Sequence, residues 1–364
     1  MRVLIAAGGT GGHVFPAVAV AEKLIEQGCE LNWVGRPQSL EEHESWRLGI
    51  PFVSMPLRGF KRKWSLSNLS ALTMFFQGRR LVKETLEAFC PHILFALGSY
   101  VSAPAISAAI AMKFPVIVHE QNAIPGLVVR FFAKKVNVVA LTQPLQSTLS
   151  GNCEVVGLPL RPGICLSREE AHYLEFGLNP SKKTLFVFGG SQGALQICYA
   201  TLDLARFWEQ QRPEWQILLQ TGRRNFEEIG RASDTANLVA VPHLDEIGKA
   251  YACADVIVAR SGATSCAEIA AVGKPAVLVP YPYATANHQE LNARAHLEKH
   301  PGELIPETML NRTQLDGAIQ RLEEVQPRPM CPKERERPVA NLLELIAKHA
   351  KGGGKNGGVV ESPR

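Results

Sequence analysis

Two glycine-rich turns constrain this chain most: Gly8-Gly9-Thr10-Gly11-Gly12-His13 and Gly189-Gly190-Ser191-Gln192-Gly193 each close an apolar run and open a helix-like segment. One lies in each half of the 364 residues, so the sequence predicts one architecture built twice. The run Val3 to Ala7 reads as a buried parallel strand, and the segment after it places Ala17, Val18, Ala21, Leu24 and Ile25 on one helical face. Pro16 suits the first turn of that helix, and Gly28 suits its end. Glycine lets backbone approach a ligand closely, and the free amides of a helix start favour an anion by roughly 0.3–1 kcal/mol. Such a turn also serves for close helix-to-strand packing with no ligand. Neither turn has the dinucleotide spacing of glycines or the Lys-Ser/Thr ending of a P-loop.

The chain exceeds the length that one core usually serves, and its 46% hydrophobic content is ample for two. Strand-like runs recur at Leu31–Val34, Ile93–Leu97, Val116–Val118, Val136–Ala140 and Val155–Val156, then at Leu185–Phe188, Trp215–Leu219, Leu238–Val241, Val256–Ala259 and Ala276–Val279. Their alternation with helical segments predicts two doubly wound parallel sheets of the α/β class. Gly157 to Gly163 breaks every periodicity and marks a linker. The expected division is therefore 1–160, 161–350 and a flexible tail at 351–364, whose glycine-rich start cannot bury enough surface to order itself.

A net charge of +5, from 39 basic and 34 acidic residues, gives no reason to expect nucleic acid as a partner. Eight cysteines stand singly without paired spacing, as reduced core residues of a cytoplasmic protein would. Met1-Arg2 runs straight into the first strand, so no signal peptide is expected, and no apolar stretch reaches the ~18 residues of a membrane span.

Candidate chemistry gathers where strands end. Asp255 to Ala259 reads as a strand, and Arg260-Ser261-Gly262-Ala263 turns directly into the helix Thr264-Ser265-Cys266-Ala267-Glu268, the place where open α/β sheets bind ligands. Glu268 suits a pair of ribose hydroxyls, or is simply a surface glutamate. The loop Pro280 to Tyr283 leads to His288-Gln289, where a side-chain amide suits sugar hydroxyls or a helix cap. In the first half, Val116-Ile117-Val118 ends in His119-Glu120-Gln121-Asn122, an unusual polar cluster unless it faces a ligand. Neither H-E-x-x-H nor Asp-x-Asp occurs, so no metal and no other cofactor is expected.

Taken in order, Gly8 to His13, Gly98 to Pro104, His119 to Asn122, Gly189 to Ala194, Arg260 to Glu268 and His288-Gln289 resemble the motifs of the MurG family of bacterial glycosyltransferases, across residues 2 to about 345. The resemblance implies a GT-B fold, two Rossmann-like domains facing a cleft, and inverting transfer of N-acetylglucosamine from UDP to the 4-hydroxyl of the undecaprenyl-diphosphate-linked muramyl pentapeptide (lipid I to lipid II). It implies UDP-N-acetylglucosamine in the C-terminal domain, with Ser191 at the diphosphate, Leu244 near uracil, Ala263, Thr264, Ser265 and Cys266 along phosphates and sugar, Glu268 on the ribose and Gln289 on the sugar. Lipid I would meet the N-terminal domain through Thr10, Gly11, Gly12, His13 and Asn122, with Arg161 following the linker. His13 is the expected catalytic base and Glu120 the second candidate, since an imidazole titrates near neutral pH. A role for His13 in merely orienting a diphosphate stays open, as do another UDP-sugar GT-B glycolipid transferase, a UDP-N-acetylglucosamine epimerase, or a silent scaffold.

Three positions depart from the family pattern: Leu158 where Gly-Asn-Pro is usual, Ser99 where a second glycine is common, and Ser265 for a frequent threonine. Leu158 puts the contact of Arg161 in doubt. A lipid-linked acceptor implies peripheral attachment at the cytoplasmic face of the inner membrane, and cell-wall synthesis proteins as partners. Phe60-Lys61-Arg62-Lys63-Trp64, then Leu69, Leu72, Met74, Phe75, Phe76, Arg79 and Arg80, mix basic and apolar side chains as an interfacial segment does, and Arg130 to Lys135 extend that pattern. An ordinary core helix with a solvated basic face has the same composition.

Overall fold

The computed structural model describes residues 1–59, 66–145, 148–190, 193–284 and 287–352. The chain divides into two compact units, Met1–Arg161 with Glu336–Arg364, and Pro162–Arg335. The first contains β1 (Arg2–Ala6), α1 (Gly11–Glu26), β2 (Glu30–Gly35), α2 (Leu40–Arg47), β3 (Phe52–Ser54), α3 (Leu66–Phe89), β4 (Ile93–Leu97), α4 (Ala103–Ala111), β5 (Val116–Glu120), α5 (Leu127–Phe132), β6 (Val138–Leu141) and β7 (Cys153–Val155). Its seven parallel strands lie in the order β3-β2-β1-β4-β5-β6-β7.

The second unit contains α6 (Glu170–Glu175), β8 (Lys183–Phe188), α7 (Leu195–Gln211), β9 (Trp215–Gln220), α8 (Phe226–Ala232), β10 (Leu238–Val241), α9 (Ile247–Cys253), β11 (Val256–Ala259), α10 (Ala263–Val272), β12 (Ala276–Leu278), α11 (His288–Leu297), β13 (Gly302–Leu304) and α12 (Arg312–Leu322). Its six parallel strands run β10-β9-β8-β11-β12-β13. Strand order reverses beside β1 in one sheet and beside β8 in the other. Ligands of such sheets bind at the carboxyl ends of the strands flanking that reversal, which is where both glycine turns lie.

Both sheets are covered on two faces, so the strands read as continuous apolar runs. Along β1, Val3 and Ile5 enter one core layer with Val14, Ala17 and Leu24 of α1, while Leu4 and Ala6 enter the opposite layer with Val82 of α3 and Ile106 of α4. In the second unit, Leu185, Val187, Trp208, Trp215 and Ile319 share one core.

The last helix, α13 (Pro332–Gly352), departs from the expected division. Its buried Leu342, Leu345, Ile346 and Ala350 complete the core layer of Val3 and Ile5, and Asn341 Nδ2 donates to Val156 O at 3.1 Å. The range 161–350 expected for the C-terminal domain therefore ends at Arg335, and the chain returns to the first sheet. The edge strands β3 and β13 were not among the expected strands. Each has three residues, and none is fully buried. Of the tail expected at 351–364, Lys351 and Gly352 belong to α13, and the rest lies outside the described residues.

Candidate functional site

The first glycine turn is held from behind. Gly9 takes φ +104°, a conformation that side chains disfavour, and a Cβ at Gly8 would lie 2.4 Å from Glu41 Oε1. Glu41, buried at the start of α2, accepts from Gly9 N at 3.4 Å and from Arg36 N and Nε at 3.3 Å each. Arg36 also lies 5.9 Å from the ring centroid of Tyr100, in the loop after β4. Sequence reasoning missed Glu41. Its signal was an acid in the first turn of a helix whose remaining residues are mostly polar, which ordinarily marks a solvated face.

Thr10 is the extended N-cap of α1, and its hydroxyl lies 3.2 Å from His13 Nδ1. This contact fixes the imidazole within the first turn of a 16-residue helix, where His13 N also donates to Thr10 O at 2.9 Å. Gly11 leaves room for Phe15, whose ring would be 2.9 Å from a Cβ there. Arg161 stacks on the same ring, its guanidinium carbon 3.7 Å from the Phe15 centroid. Thr10, Gly11, His13 and Arg161 are thereby brought to one end of α1. Leu158 is buried, and Arg161 is held by the aromatic ring rather than by a polar residue at 158.

At the end of β5, Glu120 is almost fully buried and accepts from Asn122 N at 2.9 Å, Asn122 Nδ2 at 3.1 Å and Gly126 N at 2.8 Å. Burial pushes its carboxyl above the ordinary range, while these donors pull the other way. The carboxylate thus fixes the 121–126 loop and with it Asn122. His119 is fully buried, and its Nε2 lies 2.9 Å from Gly157 O, which ties β5 to the start of the linker. Burial lowers that imidazole to about 4, so it is a neutral donor near pH 7.

In the second unit the turn after β8 is tighter. Gly193 takes φ +75°, and a Cβ there would lie 2.0 Å from Thr221 O. Ser191 lies outside the described residues. Beside β8, β11 passes through Arg260-Ser261-Gly262 into α10, so the two turns follow the carboxyl ends of adjacent central strands. Arg260 is buried, donates to Val279 O at 3.2 Å and Pro280 O at 3.1 Å, pairs with Glu307, and lies 5.3 Å from the Tyr281 centroid. It fastens the 280–283 loop.

Ser261 Oγ donates to Gln289 O at 2.8 Å, and Gln289 Oε1 accepts from Tyr281 N at 2.9 Å. Gln289 is therefore positioned by the loop and by the turn together. Ala263, Thr264 and Ser265 form the first turn of α10. Cys266 is buried, with its thiol pushed up to about 12, so it contributes packing rather than a thiolate. Glu268 is also buried and accepts from Tyr251 Oη at 3.1 Å. Leu244, buried, follows β10 and precedes α9.

Helix α9 carries Tyr251 and is anchored at its carboxyl end by two cations from distant parts of the chain. Lys274 Nζ reaches Ala252 O at 3.0 Å, and Arg168 Nη2 reaches Cys253 O at 3.2 Å and Ala254 O at 3.1 Å. Cations there satisfy orphan carbonyls and oppose the negative helix end.

Among the described residues, no cluster of three or more His, Cys, Asp or Glu is placed to hold a metal, and no helix is long and apolar enough to cross a membrane.

The geometry agrees with two domain matches, to the glycosyltransferase family 28 N-terminal domain over residues 3–141 and to the glycosyltransferase family 28 C-terminal domain over residues 184–348. The UDP-N-acetylglucosamine--N-acetylmuramyl-(pentapeptide) pyrophosphoryl-undecaprenol N-acetylglucosamine transferase of Bacillus licheniformis is 35% identical over 369 residues, covering 96% of this chain and 100% of the relative. The protein of the same name from Bacillus subtilis is 37% identical over 330 residues, covering 88% and 90%. The crystal structure of Acinetobacter baumannii MurG superposes with a TM-score of 0.68 at 25% identity, covering 95% of this chain and 99% of that one.

Proposed function

Since this chain belongs to glycosyltransferase family 28, we infer that it moves N-acetylglucosamine from UDP-N-acetylglucosamine to the 4-hydroxyl of the muramyl sugar of lipid I, making lipid II for peptidoglycan. The observation that carries the reading is identity with the relatives through both units, together with glycine turns at the reversal point of both sheets. The second unit takes the donor. Ser191 and the first turn of α10 meet the diphosphate, Leu244 the uracil, Glu268 the ribose and Gln289 the sugar.

The first unit takes the acceptor. Thr10, Gly11 and Gly12 supply backbone and hydroxyl donors at the start of α1, Asn122 sits on the loop fixed by Glu120, and Arg161 adds a cation. His13, oriented by Thr10, removes the proton of the attacking hydroxyl as the bond to UDP breaks on the opposite face of the anomeric carbon. Such a base contributes ~10²–10⁴ in rate. The three hydrogen bonds of Glu120 favour a positioning role over that of a second base. Departing negative charge on UDP is stabilised by the amide-rich turns, without a metal.

The acceptor's lipid tail requires contact with a bilayer. Leu69, Leu72 and Phe76 on α3 are exposed, as are Leu127 at 79% and Phe131 at 68% on α5, with Arg80, Arg130, Lys134 and Lys135 nearby in sequence. This apolar and basic mixture supports peripheral attachment at the cytoplasmic face of the membrane. The segment Phe60 to Trp64 lies outside the described residues. Measuring UDP release with and without a lipid I analogue tests the proposal: release must depend on the analogue, and His13→Ala must lower turnover far more than donor affinity.

A further inference from the structure

Glu41 is a carboxylate that the first sheet makes room for. It is fully buried, although it stands in the first turn of α2. The helix start itself is supported by its neighbour: Glu42 N donates to Ser39 Oγ at 3.3 Å, and Glu42 Oε2 accepts from Gln38 N at 2.6 Å. Two glycines leave the space that Glu41 fills. A Cβ at Gly8, just after β1, would lie 2.4 Å from Glu41 Oε1, and one at Gly35, the last residue of β2, would lie 2.7 Å from Glu41 Cγ. We propose that Glu41 is a positioning residue for the acceptor subsite, setting the shape of the first glycine turn without itself touching substrate. The proposal rests on the assignment of the first unit to the acceptor.

The partners of the two carboxylate oxygens carry it. Oε2 accepts from Gly9 N at 3.4 Å, and Oε1 accepts from Arg36 N and Nε at 3.3 Å each. Every partner is an N–H donor. A carboxylate serves all three, whereas a glutamine of the same size cannot: whichever way its amide is turned, an NH2 group faces either Gly9 N–H or the two N–H groups of Arg36. These bonds are longer than the roughly 2.7–2.9 Å of strong charge-assisted pairs, and a buried charge is costly. The value of Glu41 therefore lies in orientation more than in stability.

What it orients follows along the chain. Gly9 sits at φ +104°, Thr10 is the extended N-cap of α1, and the Thr10 hydroxyl lies 3.2 Å from His13 Nδ1. Tyr100 closes the turn from another side, since its Cε1 would be 3.7 Å from a Cβ at Gly9. Gly9 is thus held between a ring and a carboxylate. A turn released from Glu41 displaces Thr10 and His13 together. All of these residues belong to the first unit, so donor affinity in the second should be blind to the change.

The test uses the full chain and two variants, Glu41→Gln and Gly8→Ala, the second placing a methyl against Oε1 and so displacing the same carboxylate by another route. Hydrogen exchange followed by mass spectrometry should rise in the 8–13 turn of both, with the protection of β1 kept. With the lipid I analogue varied, kcat/KM should fall roughly tenfold or more in each, as weakening a hydrogen bond to a charged group requires. Calorimetric affinity for UDP-N-acetylglucosamine should stay within about twofold, and the double variant should be no worse than the worse single one, because both act through one contact. A merely structural Glu41 would lower the melting temperature without this split between acceptor and donor. Unchanged acceptor kinetics in Glu41→Gln, or an equal loss of donor affinity, overturns the proposal. A parent that transfers nothing to the analogue overturns the functional reading instead, and the exchange measurement still decides whether Glu41 holds the turn.

Discussion

The hydroxyl of Tyr251 donates to Oε2 of Glu268 across 3.1 Å, joining α9 to α10. Both side chains are buried, and the Tyr251 ring packs edge-on against Phe186 and Phe188, with centroids 5.5 and 5.8 Å away. The ring cannot swing without disturbing the central strand, so the carboxylate expected at the ribose has a fixed direction. Tyr251→Phe should keep the packing and lose the orientation. Steady-state kinetics should show the KM for UDP-N-acetylglucosamine rising roughly fivefold to tenfold, the net value of about one hydrogen bond, with kcat little changed. A fall in kcat at constant KM would place Tyr251 elsewhere in the reaction.

Two buried histidines, one in each unit, make the fold sensitive to mild acid. Burial lowers His119 to about 4, and burial together with the neighbouring His300 lowers His296 to about 4. Between the ordinary value of 6.5 and 4, the unfolded chain binds a proton that the folded chain does not. Stability present above pH 6.5 is therefore lost as pH falls toward 4, on the order of 3 kcal/mol for each group. Denaturant midpoints measured from pH 7.5 to 4.5 should fall along this slope, and His119→Gln should flatten it. A midpoint constant down to the carboxylate range contradicts the assignment.

The two glycines of the second turn should differ on substitution. Gly193→Ala combines φ +75° with a methyl 2.0 Å from Thr221 O, which no rotamer relieves. Gly190 has φ +80° but nothing within 4 Å of a Cβ. Thermal unfolding should show Gly190→Ala costing about 1–2 kcal/mol of backbone strain, and Gly193→Ala more than twice as much. Equal losses would mean that the turn gives way around a methyl at Gly193.

These glycines also show what the sequence made legible. A glycine turn between an apolar run and a helix has one common structural meaning, so the two sheets and the positions of Thr10, His13 and Ala263 followed from local pattern. Edge strands β3 and β13 did not, because three half-exposed residues carry no periodicity. The return of α13 was hidden for another reason: an amphipathic face such as Leu342, Leu345 and Ile346 says that the helix packs, without saying on which sheet. Glu41 and Tyr251 act on the candidate site from distant parts of the chain, through contacts that only the fold creates.

The stack of Arg161 on Phe15, at 3.7 Å, predicts that charge alone will not suffice at this position. A lysine keeps the charge and loses the planar face. Arg161→Lys should raise the KM for the lipid I analogue while leaving that for the sugar nucleotide unchanged, and Phe15→Leu should reproduce part of the effect. A change confined to the donor KM would remove Arg161 from the acceptor side.

The most direct measurement follows radiolabelled N-acetylglucosamine from UDP-N-acetylglucosamine into lipid, comparing the parent with His13→Ala. The account predicts label in a lipid II product together with UDP, and a loss of roughly 10²–10⁴ in turnover for the variant with donor affinity retained. Label that never enters the lipid, or a His13→Ala enzyme that turns over at the parent's rate, contradicts it.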